Sequence, residues 1–178
     1  MHKYLWATLA VLVLCFLWFA NSNAETSRKD LAERFFRGVY ACDPSVVDEL
    51  ACDDVFLSYP IFEKLFGVST IRGGDAVEEF AVGFCERWAD PQIVIHDAMA
   101  EGNKVVLVWS FRGRNVGSAD EDRPATNKEH RWGGITLYHF DAEGKITAEI
   151  GEESEPGPFE RSAMGKATSS PQKGSADE

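Results

Sequence analysis

Residues 31–60 read LAERFFRGVYACDPSVVDELACDDVFLSYP, and the fold follows from how this stretch divides. Leu31, Phe35 and Val39 recur at helical spacing, with Glu33, Arg34 and Arg37 between them, so the first part is an amphipathic helix. Asp43-Pro44 restarts a helix, with Asp43 as N-cap and Pro44 at the first helical position, where a missing N–H costs little. Val46, Val47, Leu50 and Ala51 supply its apolar face. Asp53-Asp54 is expected to end that helix. Val55 to Tyr59 has strand composition and stops at Pro60. Later elements are expected to wall in this helical pair.

Downstream, Ile61 to Thr70 reads as an irregular stretch that is apolar for a loop, with Phe62, Leu65 and Phe66. It is either a hydrophobic lid over a cavity or a packed loop. Arg72-Gly73-Gly74-Asp75 opens a third helix, whose face carries Val77, Phe80, Ala81, Phe84 and Trp88. The Gly-Gly pair lacks the spacing of a phosphate-binding loop. Asp90-Pro91 is expected to end the helix. The period then changes from helical to alternating. Ile93–His96 is a strand, 101–104 a turn, and 105–112 a strand apolar on both parities at its start. Asn115 to Glu129 is a long polar loop, 130–140 a strand, 141–144 a hairpin turn, and 145–151 the return strand. Pro156-Gly157-Pro158 is expected to stop regular structure, leaving 156–178 as a disordered polar tail. Three helices followed by an antiparallel meander make an α+β fold, a cone-shaped curved antiparallel sheet with three helices packed on its concave side. Such a cone can hold a ligand in its mouth.

The chain has 178 residues and a formal charge of -11. Without a stripe of Lys and Arg, nucleic acid is not an expected partner. Residues 1–24 join a short basic start, an uncharged run from Tyr4 to Ala20, and small residues at Ser22 and Ala24 spaced for cleavage. This is the pattern of a signal peptide cut after Ala24. The run is also long enough for a membrane anchor, at the lower limit of roughly 17–25 residues. The expected domain therefore spans 25–155, exported, and membrane-bound only if the leader stays. Cys42, Cys52 and Cys85 follow the leader. A helix between Cys42 and Cys52 separates them beyond disulfide reach. A bridge involving Cys85, or three thiols acting as small hydrophobes, both remain open. No Cys/His ligand spacing suggests a metal.

The blocks Arg34-Phe35-Phe36, Ala41-Cys42-Asp43, Leu50 to Val55, Ile71-Arg72-Gly73 and Gly134 to Ile146 resemble the nuclear-transport-factor-2-like superfamily, within it the SnoaL-like and ketosteroid-isomerase-like branches. The resemblance spans residues 31 to about 152. It implies a cofactor-independent cyclase or isomerase fold and a homodimer through the outer sheet face. It also implies where catalytic groups would stand. The isomerase base position falls on Tyr59, the helix donor on Phe35, and the second acidic donor on Thr136, so all three have lost the needed group. A neutral phenol with a pKa near 10 is a poor base at neutral pH.

The candidates for a catalytic group are Tyr59, His96 and Glu149. Glu149 shares strand parity with Thr147, which places it outward unless a bulge intervenes. His96 and His130 are too far apart in sequence to read as a pair, and Glu152-Glu153 reads as a solvated charge run. Ligand-binding residues are expected at Phe35, Tyr59, Trp109, Trp132, Thr136 and Tyr138, with Phe35 facing Tyr59 across the cavity. No cofactor or metal is expected. Three functions compete: a small-molecule cyclase, isomerase or dehydratase; a binding module that kept the pocket and lost the chemistry; and a dimerisation domain. An Asp, Glu or His reaching the cavity floor would favour the enzyme.

Overall fold

The computed structural model describes residues 24–117 and 124–167. The leader up to residue 23 lies outside them. Helix α1 (24–40) buries Ala32, Phe35, Phe36, Val39 and Tyr40, the stripe that a 3.6-residue period turns to one side. Helix α2 (Val46–Leu50) starts later than Asp43-Pro44 implied, with Ser45 at the N-cap. A turn at 43–46 intervenes, closed by Val46 N donating to Asp43 O.

Strand β1 (Ala51–Ser58) begins at once after α2. Asp53-Asp54 therefore lies in the strand and does not break a helix. A register shift between Ala51 and Phe56 absorbs the polar pair. The stretch expected to be irregular is a helix, α3 (Pro60–Phe66), with Pro60 in its first turn and Gly67 in the left-handed conformation at its C-cap. Pro at the start and Gly just past the end are helix punctuation, and they outweigh the aromatic composition between them.

A two-residue strand β2 (Ile71–Arg72) leads into α4 (Gly74–Arg87). Strand β3 (Trp88–Glu101) starts directly at Trp88 and runs through Asp90-Pro91. Proline is tolerated there because β3 is the sheet edge and the register slips between Ala89 and Gln92. Strands β4 (Lys104–Asn115), β5 (Glu129–Phe140) and β6 (Ile146–Ser154) complete the sheet. Its order is β2-β1-β6-β5-β4-β3. The meander β3 to β6 is antiparallel, but β1 pairs with β6 in parallel. The sheet is thus mixed, not wholly antiparallel, and the fold is α+β.

Pro156-Gly157-Pro158 does not end regular structure. Helix α5 (Pro158–Ala167) follows it. It lies against β4 and β5; Phe159 stacks on the His96 ring of β3 at 3.7 Å, and Ser110 Oγ of β4 donates to Glu160 Oε1 at 2.7 Å. A disulfide joins Cys42 to Cys85 with Cα atoms 5.4 Å apart, leaving Cys52 as a free thiol. The bridge ties the end of α1 to the end of α4, and so fixes the aromatic core between them. No helix among the described residues is long and apolar enough to cross a membrane.

Candidate functional site

The inner row of β6 is Glu149, Gly151 and Glu153. Parity with Ile146 should have turned Glu149 outward. The register explains the reversal: Phe140 pairs with Ile146, His139 with Ala148, and Tyr138 with Glu149, so Thr147 is an extra residue in β6. This is a β-bulge, and it changes which side chains face the core. Glu149 is therefore fully buried. The expectation that it faces outward is corrected.

Three tyrosines surround that carboxyl. Tyr40 Oη donates to Glu149 Oε1 at 2.7 Å, and Tyr59 Oη donates to the same oxygen at 2.6 Å. Tyr138 stands opposite on β5. Its hydroxyl and Glu149 Oε2 are both buried without a hydrogen-bond partner among the described residues. Tyr59 Oη also meets Thr136 Oγ1 at 2.9 Å, and the Trp109 indole donates to Thr136 at 2.8 Å. Burial pushes the Glu149 pKa up, opposed by the hydrogen bonds from Tyr59 and Tyr40. Burial, then the Glu149 charge, raises all three phenols well above their usual value. They are neutral donors and not bases at any physiological pH.

Two glycines make room for the large rings. A Cβ at Gly151 would overlap the Tyr59 ring, and one at Gly134 would overlap Trp109. These close approaches set Tyr59 and Trp109 side by side over β5 and β6.

Above this floor opens a cavity of about 1120 Å³. Tyr40 and Tyr59 form part of its lining, with Phe36, Phe62, Phe80 and Trp109. At its other end lie Trp88, Phe111, His130, Trp132 and Glu153. Trp132 packs on Phe111 at 4.2 Å and on Trp88 at 5.0 Å. Among these rings burial raises the Glu153 pKa to about 7, opposed by a hydrogen bond from Trp132. Glu153 is thus half-shielded in the cavity wall, not part of a solvated charge run. His130 Nε2 is buried in the same wall without a described partner. A carboxyl that titrates near neutrality inside an apolar cavity can both take and return a proton.

The expected site residues divide. Tyr59, Trp109 and Trp132 line the cavity; Phe35, Thr136 and Tyr138 are fully buried behind it. Phe35 packs edge-on against Tyr138, and it is Tyr40, one turn and a half along α1, that meets Tyr59, at 6.4 Å between rings. His96 is not among the lining residues. It bonds Ser110 at 2.7 Å beneath α5. Tyr40, Glu153 and His130 are the members that the pattern reading missed. Glu153 follows from Glu149 by alternation, but only once the bulge is known. No group of acidic, His and Cys side chains suited to a metal occurs among the described residues.

The SnoaL-like domain family model matches residues 32–149. The chain belongs to the SnoaL-like domain family. Solved structures share its nuclear-transport-factor-2-like fold. A SnoaL-like polyketide cyclase from Jannaschia sp. CCS1 is 15% identical, with a TM-score of 0.62 over 83% of this chain and 95% of that one. TsrD from Streptomyces laurentii is 22% identical, with a TM-score of 0.58 over 73% and 90%. SalBIII, an epoxide hydrolase/cyclase-like enzyme of pyran ring formation in the polyether salinomycin, is 17% identical, with a TM-score of 0.56 over 73% and 92%. None of the curated proteins matches. The SnoaL-like family includes polyketide cyclases and isomerases.

Proposed function

We propose that this SnoaL-like protein is an exported, cofactor-independent enzyme that moves a proton on a small, largely apolar molecule, in the manner of a cyclase or isomerase. The observation that carries this reading is Glu153, a cavity carboxyl held near pH 7 by its aromatic surroundings. A general base is most effective with a pKa near the working pH. The aromatic lining suits a flat substrate. Tyr40 and Tyr59, fixed by Glu149, shape the far end and orient the substrate.

Export rests on the Ser22-x-Ala24 pattern and on the Cys42–Cys85 bridge, since disulfides persist in oxidising compartments. N-terminal sequencing of protein from an exporting host should give Glu25 as the first residue. A chain that keeps Tyr4–Ala20 and pellets with membranes would be anchored instead.

The test of activity is solvent exchange. The protein is incubated in D2O with a panel of ketones, epoxy-alcohols and polyketide-like aromatics. Catalysed deuterium uptake or ring closure is read by mass spectrometry and NMR. Glu153→Gln should lower the rate by about 10²–10⁴. Tight binding of a panel member with no exchange or conversion would favour a non-catalytic binding module, a reading that the shielding of Glu149 behind Tyr40 and Tyr59 supports.

A further inference from the structure

The hydrogen bonds of the cavity floor run one way. Each phenol and each indole has a single hydrogen to donate. Tyr40 and Tyr59 both direct theirs to Glu149 Oε1. Trp109 directs its own to Thr136 Oγ1. The Thr136 hydroxyl, already accepting from Trp109, then donates to Tyr59 Oη. The chain is therefore Trp109 to Thr136 to Tyr59 to Glu149. Glu149 Oε1 accepts both phenols whether the carboxyl is ionised or carries a proton on Oε2.

The consequence is chemical polarity. Tyr40, Tyr59 and Trp109 show the cavity floor ring faces, ring edges and oxygen lone pairs, with no hydrogen left to give. A ligand carbonyl, carboxylate or phosphate would meet electron density there without a donor. A phenol that donates to a carboxyl also becomes more electron-rich in its ring. The charges point the same way. Glu79, Glu86 and Glu155 line the cavity against Lys64 and Arg87, in a chain whose formal charge is -11.

We propose that the cavity floor receives a cationic nitrogen of its ligand, seated among the rings of Tyr40, Tyr59, Phe36 and Trp109 with the Glu149 carboxyl directly behind the two phenols. Cation–π attraction favours this arrangement where water is excluded. This inference names the substrate class of the cavity described above and rests on that reading only in taking this cavity as the working site.

The experiment compares three probes of one shape on the full folded protein: phenyltrimethylammonium, tert-butylbenzene and benzenesulfonate. Binding is read by tryptophan fluorescence and calorimetry. The cation should bind at least tenfold tighter than the neutral isostere, and the sulfonate should not bind. Equal affinity for cation and neutral probe, or tighter binding of the sulfonate, would overturn the proposal. Glu153→Gln should keep the preference for the cation while losing proton transfer, so the two readings fail separately. Glu149→Gln, where it folds by circular dichroism, should reduce the preference below threefold; a folded variant that keeps it tenfold would also overturn the proposal. If that variant does not fold, the probe comparison on the wild type decides alone.

Discussion

Glu149 on β6 stands directly opposite Tyr138 on β5, and it does so because Thr147 is an extra residue in the ladder. That one-residue irregularity moves a carboxyl from the solvent face to the centre of the molecule. It also carries Gly151 and Glu153 onto the inner face. The site is built on the consequences of that bulge.

Because Tyr40 and Tyr59 donate to one oxygen of Glu149, their contributions are coupled. Tyr59→Phe leaves the buried carboxyl with one fewer donor and strands the Thr136 hydroxyl. The expected cost is about 1–3 kcal/mol of stability, the penalty of an unsatisfied buried polar group. Tyr40→Phe should cost about as much, and the double variant should depart from additivity by about 0.5 kcal/mol or more. Urea unfolding of the four proteins checks this. Turnover, where found, should fall less than tenfold in Tyr59→Phe, because this phenol orients and does not abstract.

The Cys42–Cys85 bridge sits beside the aromatic floor, two residues beyond Tyr40 and one beyond Phe84, whose rings meet at 5.1 Å. Thermal unfolding of a Cys42→Ser/Cys85→Ser variant should show a loss of about 2–4 kcal/mol. Thiol titration of the unfolded wild-type segment from Glu25 onward should find one free cysteine, Cys52, before reduction and three after it.

Much of this fold was legible in the sequence. Helix periodicity in 31–39, the alternating strands after Ile93, and the block from Gly134 to Ile146 all place their elements as expected. The errors have local physical causes. Pro60 and Gly67 punctuate a helix that its aromatic residues disguised. Asp90-Pro91 looked like a helix stop but lies in an edge strand, where a missing N–H is harmless. Strand parity misplaced Glu149 because a bulge leaves no compositional mark. The candidate site suffered most from that slip, since Glu153 follows from it. On α1 the ring that meets Tyr59 belongs to Tyr40, five residues beyond Phe35.

Assembly offers a further check. Met99, Ile135 and Ile150 are exposed on the outer face of the sheet, beside the end that α5 covers. We propose that a second copy covers this face. Sedimentation of the domain should show a dimer, and Ile135→Glu should yield a folded monomer. A monomeric wild type at micromolar concentrations would rule the dimer out.

The pH dependence of stability follows from Glu153, whose folded pKa is raised to about 7 from 4.5. Between those values the folded protein binds more protons than the unfolded chain. Its contribution is fully present below the unfolded pKa and is lost as pH rises through about 7. Glu153→Gln should remove this slope and make the protein more stable than wild type at pH 8, by on the order of 1–3 kcal/mol. Where turnover is found, kcat/KM should climb through the same range as the base loses its proton.

The most direct measurement is a 13C NMR titration of the Glu153 side-chain carboxyl, assigned by the signal that disappears in Glu153→Gln. A midpoint near 7 is the predicted result. A midpoint between 4 and 5 in the wild type would contradict a proton-transfer role for this residue.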